Sequence, residues 1–240
     1  MATRGGPQRK GGRPGLGKAS AKTSAKPKSR AKAVPQPATV AAPPAGPFRL
    51  GAVPGATPGK WIDTWKTRMP RTPLELVPLL VAEQRRAFVR GEVDAAIVRL
   101  PIDRDGLHVI PLYEETTVVV CAADSHLTAA DELTVEDLAG EVRIVPRDDV
   151  LGVDLPGTEA PRFAAPATTG EAIETVAAGV GMVVVPMSLA RLHHRKDVTF
   201  RPLAGAPASA VALAWPADGT TELVDAFVGI VRGRTANSSR

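Results

Sequence analysis

Cysteine is almost missing from this 240-residue chain: a single one, Cys121, stands inside the apolar run of residues 118–123. One thiol excludes an intrachain disulfide framework and fits a reducing compartment; inside an apolar run it reads as a buried, inert side chain. Long hydrophobic runs are missing too, since none approaches the roughly 20 residues that a membrane helix needs. The N-terminus starts basic, as a secretory leader would, but no apolar stretch of about 7–15 residues follows. The expectation is a cytoplasmic chain without a membrane partner. Acidic and aromatic residues are both absent from residues 1–47.

What residues 1–47 do hold is Arg4, Arg9, Lys10, Arg13, Lys18, Lys22, Lys26, Lys28, Arg30 and Lys32, among Ala, Pro, Gly and Ser. Taking those ten from the 30 basic residues of the whole chain leaves 20 against 25 acids, so residues 48–240 carry a net −5. The formal charge of +5 and the pI near 9.7 therefore describe the tail. A segment with so few large apolar side chains cannot offset its chain entropy, and disorder is expected for residues 1–47 and again for residues 236–240. Residues 33–47, charge-free and rich in Pro and Ala, read as a semi-extended linker. A flexible polycation binds phosphates with strong salt dependence and little sequence preference, so non-specific DNA or RNA is the expected partner of the tail. Without aromatics, base stacking has no support. A solubilising extension is the plain alternative, and an anionic membrane surface is disfavoured by the lack of an apolar face.

Order is expected from Phe48. Residues 48–54 read as a strand, Thr57 as an N-cap with Pro58 at the first helical position, and residues 60–69 as a helix with Trp61, Ile62, Trp65 and Met69 inward. Strand 74–79, helix 82–90 ended by Gly91, and strand 93–98 complete a β-α-β-α-β alternation, the pattern of a parallel sheet. Strands at 109–112 and 117–122, a short helix at 134–138 and a strand at 143–146 follow. Thr168 and Glu171 form a capping box before a helix carrying Ile173, Val176, Ala177 and Val180 on one face. Strand 182–185, helix 188–194, strand 198–203, strand 210–215 and helix 221–231 close the chain. The βαβ units thus recur from about residue 117. Two similar α/β halves imply two lobes with a ligand in the cleft where strand ends and helix N-termini meet.

No catalytic set emerges. His193 and His194 are adjacent and would point about 100° apart on a helix. His108 and His126 have no ligand-spaced partner. There is no G-x-S-x-G, and Gly179-Val-Gly181 precedes a strand, the wrong context for a dinucleotide. Asp103, Asp105, Glu114 and Glu115 read as solvated acids. No cofactor, no metal and no enzyme activity are expected.

Three segments carry a resemblance. Gly91-Glu-Val-Asp-Ala-Ala-Ile-Val-Arg-Leu-Pro101 resembles the G-E-x-D-x-A-I-x-R stretch of LysR-type effector-binding domains. Asp124-Ser-His-Leu-Thr-Ala with Leu133-Thr-Val-Glu-Asp-Leu-Ala-Gly140 resembles their H-P-L-A … L-T-x-x-D-L segment. Ala178-Gly-Val-Gly-Met-Val-Val-Val-Pro186 resembles A-G-x-G-I-A-L-L-P. They occur in the family's order over about residues 48–232. The resemblance implies an α/β fold of two Rossmann-like lobes, like type II periplasmic binding proteins. Lobe I would hold about residues 48–115 plus 206–235, and lobe II about 116–205. It also implies an effector in the cleft, a role in transcription regulation, and side-by-side homodimers. Residues 1–47 are too few and too rich in Pro and Gly for the winged helix-turn-helix and linker helix that open such regulators. The expectation is a sensor half with a polycationic tail.

Loops after strands then nominate the ligand contacts: Gly55, Ala56 and Thr57; Arg99 and Pro101; Arg147; Thr168 and Thr169. Thr57 and Thr168 would offer hydroxyls and free N–H groups at helix starts, and Arg99 a bidentate partner, so a small anionic metabolite, a carboxylate, is expected. Each also has a plainer reading. The threonines can be caps only, Arg99 an ordinary salt-bridged side chain, Arg147 a partner of Asp148 or Asp149, and Gly55 a turn residue. Besides the sensor, a nucleoid-associated protein with the α/β part as oligomerisation module, a solute-binding protein, and an enzyme on the same fold remain as alternatives.

Overall fold

Residues 46–233 are described in a computed structural model; the ten basic residues of the tail and residues 236–240 lie outside them. In chain order the elements are β1 (Phe48–Ala52), α1 (Gly59–Arg68), β2 (Leu74–Pro78), α2 (Gln84–Val89, preceded by a 3₁₀ turn at Val81–Glu83), β3 (Ala95–Arg99), β4 (Leu107–Glu115), β5 (Thr117–Ala122), α3 (Thr169–Ala177), β6 (Val183–Pro186), α4 (Met187–Leu192), β7 (Val198–Pro202), β8 (Ser209–Pro216) and α5 (Glu222–Val231). Further 3₁₀ turns lie at His126–Ala129 and Glu136–Leu138.

Side-chain alternation sets the layers. Along β3, Ala95 and Ile97 join a core with Phe48, Trp65 and Phe227, while Ala96 and Val98 join another with Val53, Leu79 and Phe88 on the opposite face. A strand apolar on both faces belongs inside a sheet. β3 accordingly lies third in the five-stranded order β2-β1-β3-β8-β4. The edge strand β4 tolerates Pro111, which has no N–H to give to a ladder, and its register with β8 shifts between Pro111 and Tyr113. The same alternation builds the second sheet, order β6-β5-β7. There Val118 and Val120 face one core with Val183 and Val185, and Val119 and Cys121 face another with Met182 and Val184.

The first core is held by an aromatic trio. Phe48 stacks on Trp65 with ring centroids 4.7 Å apart, and Phe227 of α5 tilts against both. The Trp65 indole N–H, fully buried, donates to the Thr72 carbonyl at 2.9 Å. Truncating such a side chain to Ala costs about 3–5 kcal/mol.

The β-α-β-α-β start is parallel as expected, with β1 pairing parallel to β2 and β3, while β8 joins antiparallel to β3 and β4 and makes the first sheet mixed. The sequence expectations fail at three places elsewhere in this scaffold. The second sheet is antiparallel at both of its ladders. The expected second βαβ unit survives only between residues 142–144 and the start of β6, through the parallel bridge Arg143↔Met182. Residues 143–146 make no strand, since their pairing stops at isolated bridges and Pro146 cannot donate. Gly181 lets that approach occur: its φ is +59°, and a Cβ there would run into the Val142 carbonyl. Finally, Thr57 is not the cap of α1. Pro58 occupies that position with no side-chain cap, and Thr57 stands one residue outside.

Two connections join the sheets, one through Thr116 between β4 and β5 and one over residues 203–208 between β7 and β8. They are tied to each other: Thr117 donates its hydroxyl to the Pro207 carbonyl at 2.6 Å, and Leu203 N–H donates to the Thr117 carbonyl at 3.0 Å. Both sheets belong to one unit, Ala42–Arg240.

Candidate ligand site between the two sheets

The loop after β1 holds Gly55, Ala56 and Thr57; β4 ends in Tyr113, Glu114 and Glu115; α4 opens directly from β6. These three segments, with Thr116, enclose a cavity of about 540 Å³ whose other lining residues are Met187, Ser188, Arg191 and Leu192 of α4. That volume suits a small molecule. The two sheets touch here. Gly55 has φ +82°, and a Cβ on it would collide with the Ser188 hydroxyl and approach Leu189, so a side-chain-free residue is what allows the β1 loop to reach α4.

Beneath the cavity lies a buried ion pair. Arg99 and Glu115 are 1% and 8% exposed, with Nη1 2.8 Å from Oε2. Arg99 Nη1 also donates to Ser209 Oγ at 2.6 Å, and Nη2 reaches the Pro54 carbonyl at 3.4 Å and Ser188 Oγ at 3.5 Å. Ser188 donates its hydroxyl to Glu115 Oε2 at 2.8 Å. Gln84 brackets the Arg99 backbone, accepting its N–H at 3.0 Å and donating to its carbonyl at 2.8 Å. Four chain segments, from both lobes, thus meet on one guanidinium. Two charges removed from water need such hydrogen bonds to offset their desolvation. Burial, together with the Glu115 charge, pushes the Tyr113 phenol above its ordinary range, and Arg99 partly opposes that.

Of the residues nominated from sequence, Gly55, Ala56 and Thr57 line this cavity. Arg99 does not; it underlies the wall, its Nη atoms engaged. Pro101 is exposed behind a cis Leu100–Pro101 peptide and outside the lining. Arg147 is exposed, with its N–H donating to Pro166 and no ion pair to Asp148 or Asp149 among the described residues. Thr168 caps α3, accepting from Glu171 N–H at 3.2 Å, while the Glu171 carboxylate accepts from Ala167 N–H at 2.7 Å. Thr169 is buried and donates to Asp148 at 2.9 Å. Arg147, Thr168 and Thr169 therefore gather at the start of α3 and not in the cavity. His193, just past α4, lies against Gly170 there.

Sequence reasoning missed Glu115, Ser188 and Arg191. A charge ending the apolar run of β3 was a signal that a counter-charge must exist, but its partner sat in an acidic pair read as solvated. Arg191 is exposed at the cavity and has no ion pair among the described residues. No group of three or more His, Cys, Asp or Glu able to hold a metal ion occurs among the described residues, and no described helix is long and apolar enough to cross a membrane.

Two α/β lobes joined by paired crossovers, with a cavity between them, define an effector-binding fold of the periplasmic-binding-protein type. The chain belongs to the LysR substrate-binding-domain family, whose model matches residues 41–236. It is 28% identical over 202 residues to the Hca operon transcriptional activator HcaR of Escherichia coli (strain K12), covering 78% of this chain and 68% of that protein. Among solved structures, the reduced OxyR regulatory domain of Pseudomonas aeruginosa matches with TM-score 0.62 and 24% identity, over 78% of this chain and 97% of that one. The BenM effector-binding domain with its effector benzoate matches with TM-score 0.65 and 19% identity, over 79% and 91%. At such identities the two structures establish the fold.

Proposed function

We propose that this chain senses a small anionic metabolite, a carboxylate, in the service of transcription regulation, and that the ligand sits in the cavity between the β1 loop and α4. The observation that carries the reading is Arg191: an exposed cation on α4 with no ion pair among the described residues, opening on a cavity walled by the opposite lobe, which Glu114 and Glu115 also line. The relative HcaR is named a transcriptional activator and BenM a benzoate-binding domain, which supports both halves of the reading. The lobes are taken as residues 48–115 with 206–235, and 116–205, hinged at the two crossovers; closure on the ligand is the signal. A homodimer is the proposed assembly, checked by sedimentation. A thermal-shift screen of the full chain against small carboxylates tests the site. A ligand at 100 times its dissociation constant stabilises by about 2.7 kcal/mol. Arg191→Ala should abolish that shift while leaving the unliganded melting temperature in place; an equal shift in the variant refutes the placement.

The charge segregation of the sequence favours a second activity. Ten cations and no acid in residues 1–47 supply a phosphate-binding segment, and we assign non-specific nucleic-acid contact to it. Binding to mixed-sequence DNA should weaken steeply between 50 and 200 mM salt, the range over which roughly 6–10 phosphate contacts lose about 10³–10⁵ in affinity, and should vanish when residues 1–45 are deleted. Ligand binding that survives this deletion separates the sensor from a nucleoid-associated protein whose folded part only oligomerises.

A further inference from the structure

Glu115 is more than nine-tenths buried, yet it lines the cavity. Its two oxygens are not equivalent. Oε2 takes both donors, Arg99 Nη1 and the Ser188 hydroxyl, each at 2.8 Å. Oε1 has no partner among the described residues. Nor is Oε1 sealed in the core, because the buried side-chain polar atoms left without a partner are Arg85 Nε and Arg99 Nε. Glu115 borders the cavity, so we infer that Oε1 is an unfilled acceptor presented there on a side chain that its neighbours hold still.

Arg191 lies three residues beyond Ser188 on α4, on the same helix face, with Cβ atoms about 5–6 Å apart. Ser188 touches Glu115. An unpaired cation and an unfilled carboxylate oxygen therefore lie within the span of one small molecule. A ligand that satisfied only Arg191 would remove water from Glu115 Oε1 and give nothing back, a penalty that grows as the site dries.

Resting on the reading of this cavity as the ligand site, we propose that it selects a bifunctional ligand: an anionic group for Arg191 and, a few bonds away, a hydrogen-bond donor, hydroxyl or ammonium, for Glu115. The ligand class is hydroxy acids or amino acids in preference to plain carboxylates. Thr57 and Thr116 add hydroxyls to the same lining but can accept or donate, so they do not impose the choice. Glu114 and Glu115 as carboxylates only accept; Glu114 is exposed and keeps its water, so the choice falls to the buried Glu115.

The test uses the full chain and two matched trios: propionate, lactate and alanine; butyrate, 4-hydroxybutyrate and 4-aminobutyrate. Calorimetry measures each with wild type, Arg191→Ala and Glu115→Gln. In at least one trio a donor-bearing member should bind about tenfold or more tightly than its plain parent, and the preference should shrink in Glu115→Gln. Whether the hydroxyl or the ammonium member wins tells a neutral donor from a charged one. Plain parents binding as well as their donor-bearing partners, with affinity still lost in Arg191→Ala, overturn the selection for a donor and leave the site standing. No binding by any of the six, or binding indifferent to Arg191→Ala, overturns the site and the selection together. If Glu115→Gln fails to fold by circular dichroism, the wild-type trios and Arg191→Ala decide alone.

Discussion

Arg99 at the end of β3 and Glu115 at the end of β4 face each other at 2.8 Å, each more than nine-tenths buried. Through Ser188 and Pro54 their contacts extend to α4 on one side and to the loop after β1 on the other. The pair is thus placed where movement of one sheet against the other must be felt. Removing one partner leaves the other charge buried and uncompensated, which costs about 3–5 kcal/mol, whereas replacing both by apolar residues costs far less. Urea melts of Arg99→Met should show the large loss, and Arg99→Met with Glu115→Leu should recover a good part of it. Equal losses in the single and the double variant would argue that the two side chains act independently.

Tyr113 is the one tyrosine of the chain, so its ionisation is directly visible in ultraviolet absorbance. Burial and the nearby Glu115 raise its pKa above 10.0, against a smaller lowering by Arg99. The folded state therefore favours the protonated phenol. That contribution to stability is complete below the unfolded value and is lost as pH rises through the folded one. The native titration midpoint should lie above 10.0 and fall back toward it in denaturant; a native midpoint at or below 10.0 would contradict the burial.

Cys121 is 1% exposed, and burial pushes its thiol up from 9.0. A protonated, covered thiol is a poor nucleophile. Reaction with a thiol reagent at neutral pH should be slow in the native protein and become rapid, one equivalent per chain, on unfolding. Rapid native labelling would mean that β5 opens readily.

The two threonines that the sequence treated alike should behave differently. Thr168 accepts from Glu171 N–H and caps α3, so Thr168→Ala should lower stability by about 1 kcal/mol. Thr57 caps nothing, and Thr57→Ala should leave the melting temperature within error while changing ligand affinity. A stability loss at Thr57 matching that at Thr168 would overturn the distinction.

Most of this scaffold was readable from local pattern. The continuous apolar runs of β3 and β5, the capping box at Thr168 and the helical face Ile173–Val176 all depend on neighbours a few residues apart. The sensor fold followed from three motifs kept in order. The cavity did not, because its key contacts join distant residues. Arg99 meets Ser188 across 89 positions and Ser209 across 110, and no sequence period marks such meetings. Proline explains two of the failures. Pro58 took the cap position from Thr57, and Pro146 helped stop a strand at residues 143–146. The polarity of the second sheet was missed because strand direction is set by which distant strands pair, here β5 antiparallel to β6 and β7, and no local pattern marks it.

The central claim, that the ligand occupies the cavity between the β1 loop and α4, is tested most directly by nuclear magnetic resonance of the protein carrying ¹³C-labelled tyrosine. Tyr113 lines that cavity and supplies the single ring signal. A carboxylate found in the thermal-shift screen should move this signal saturably, with the same dissociation constant that calorimetry gives, and should fail to move it in Arg191→Ala. A ligand that binds by calorimetry while the Tyr113 signal stays fixed would place the site elsewhere.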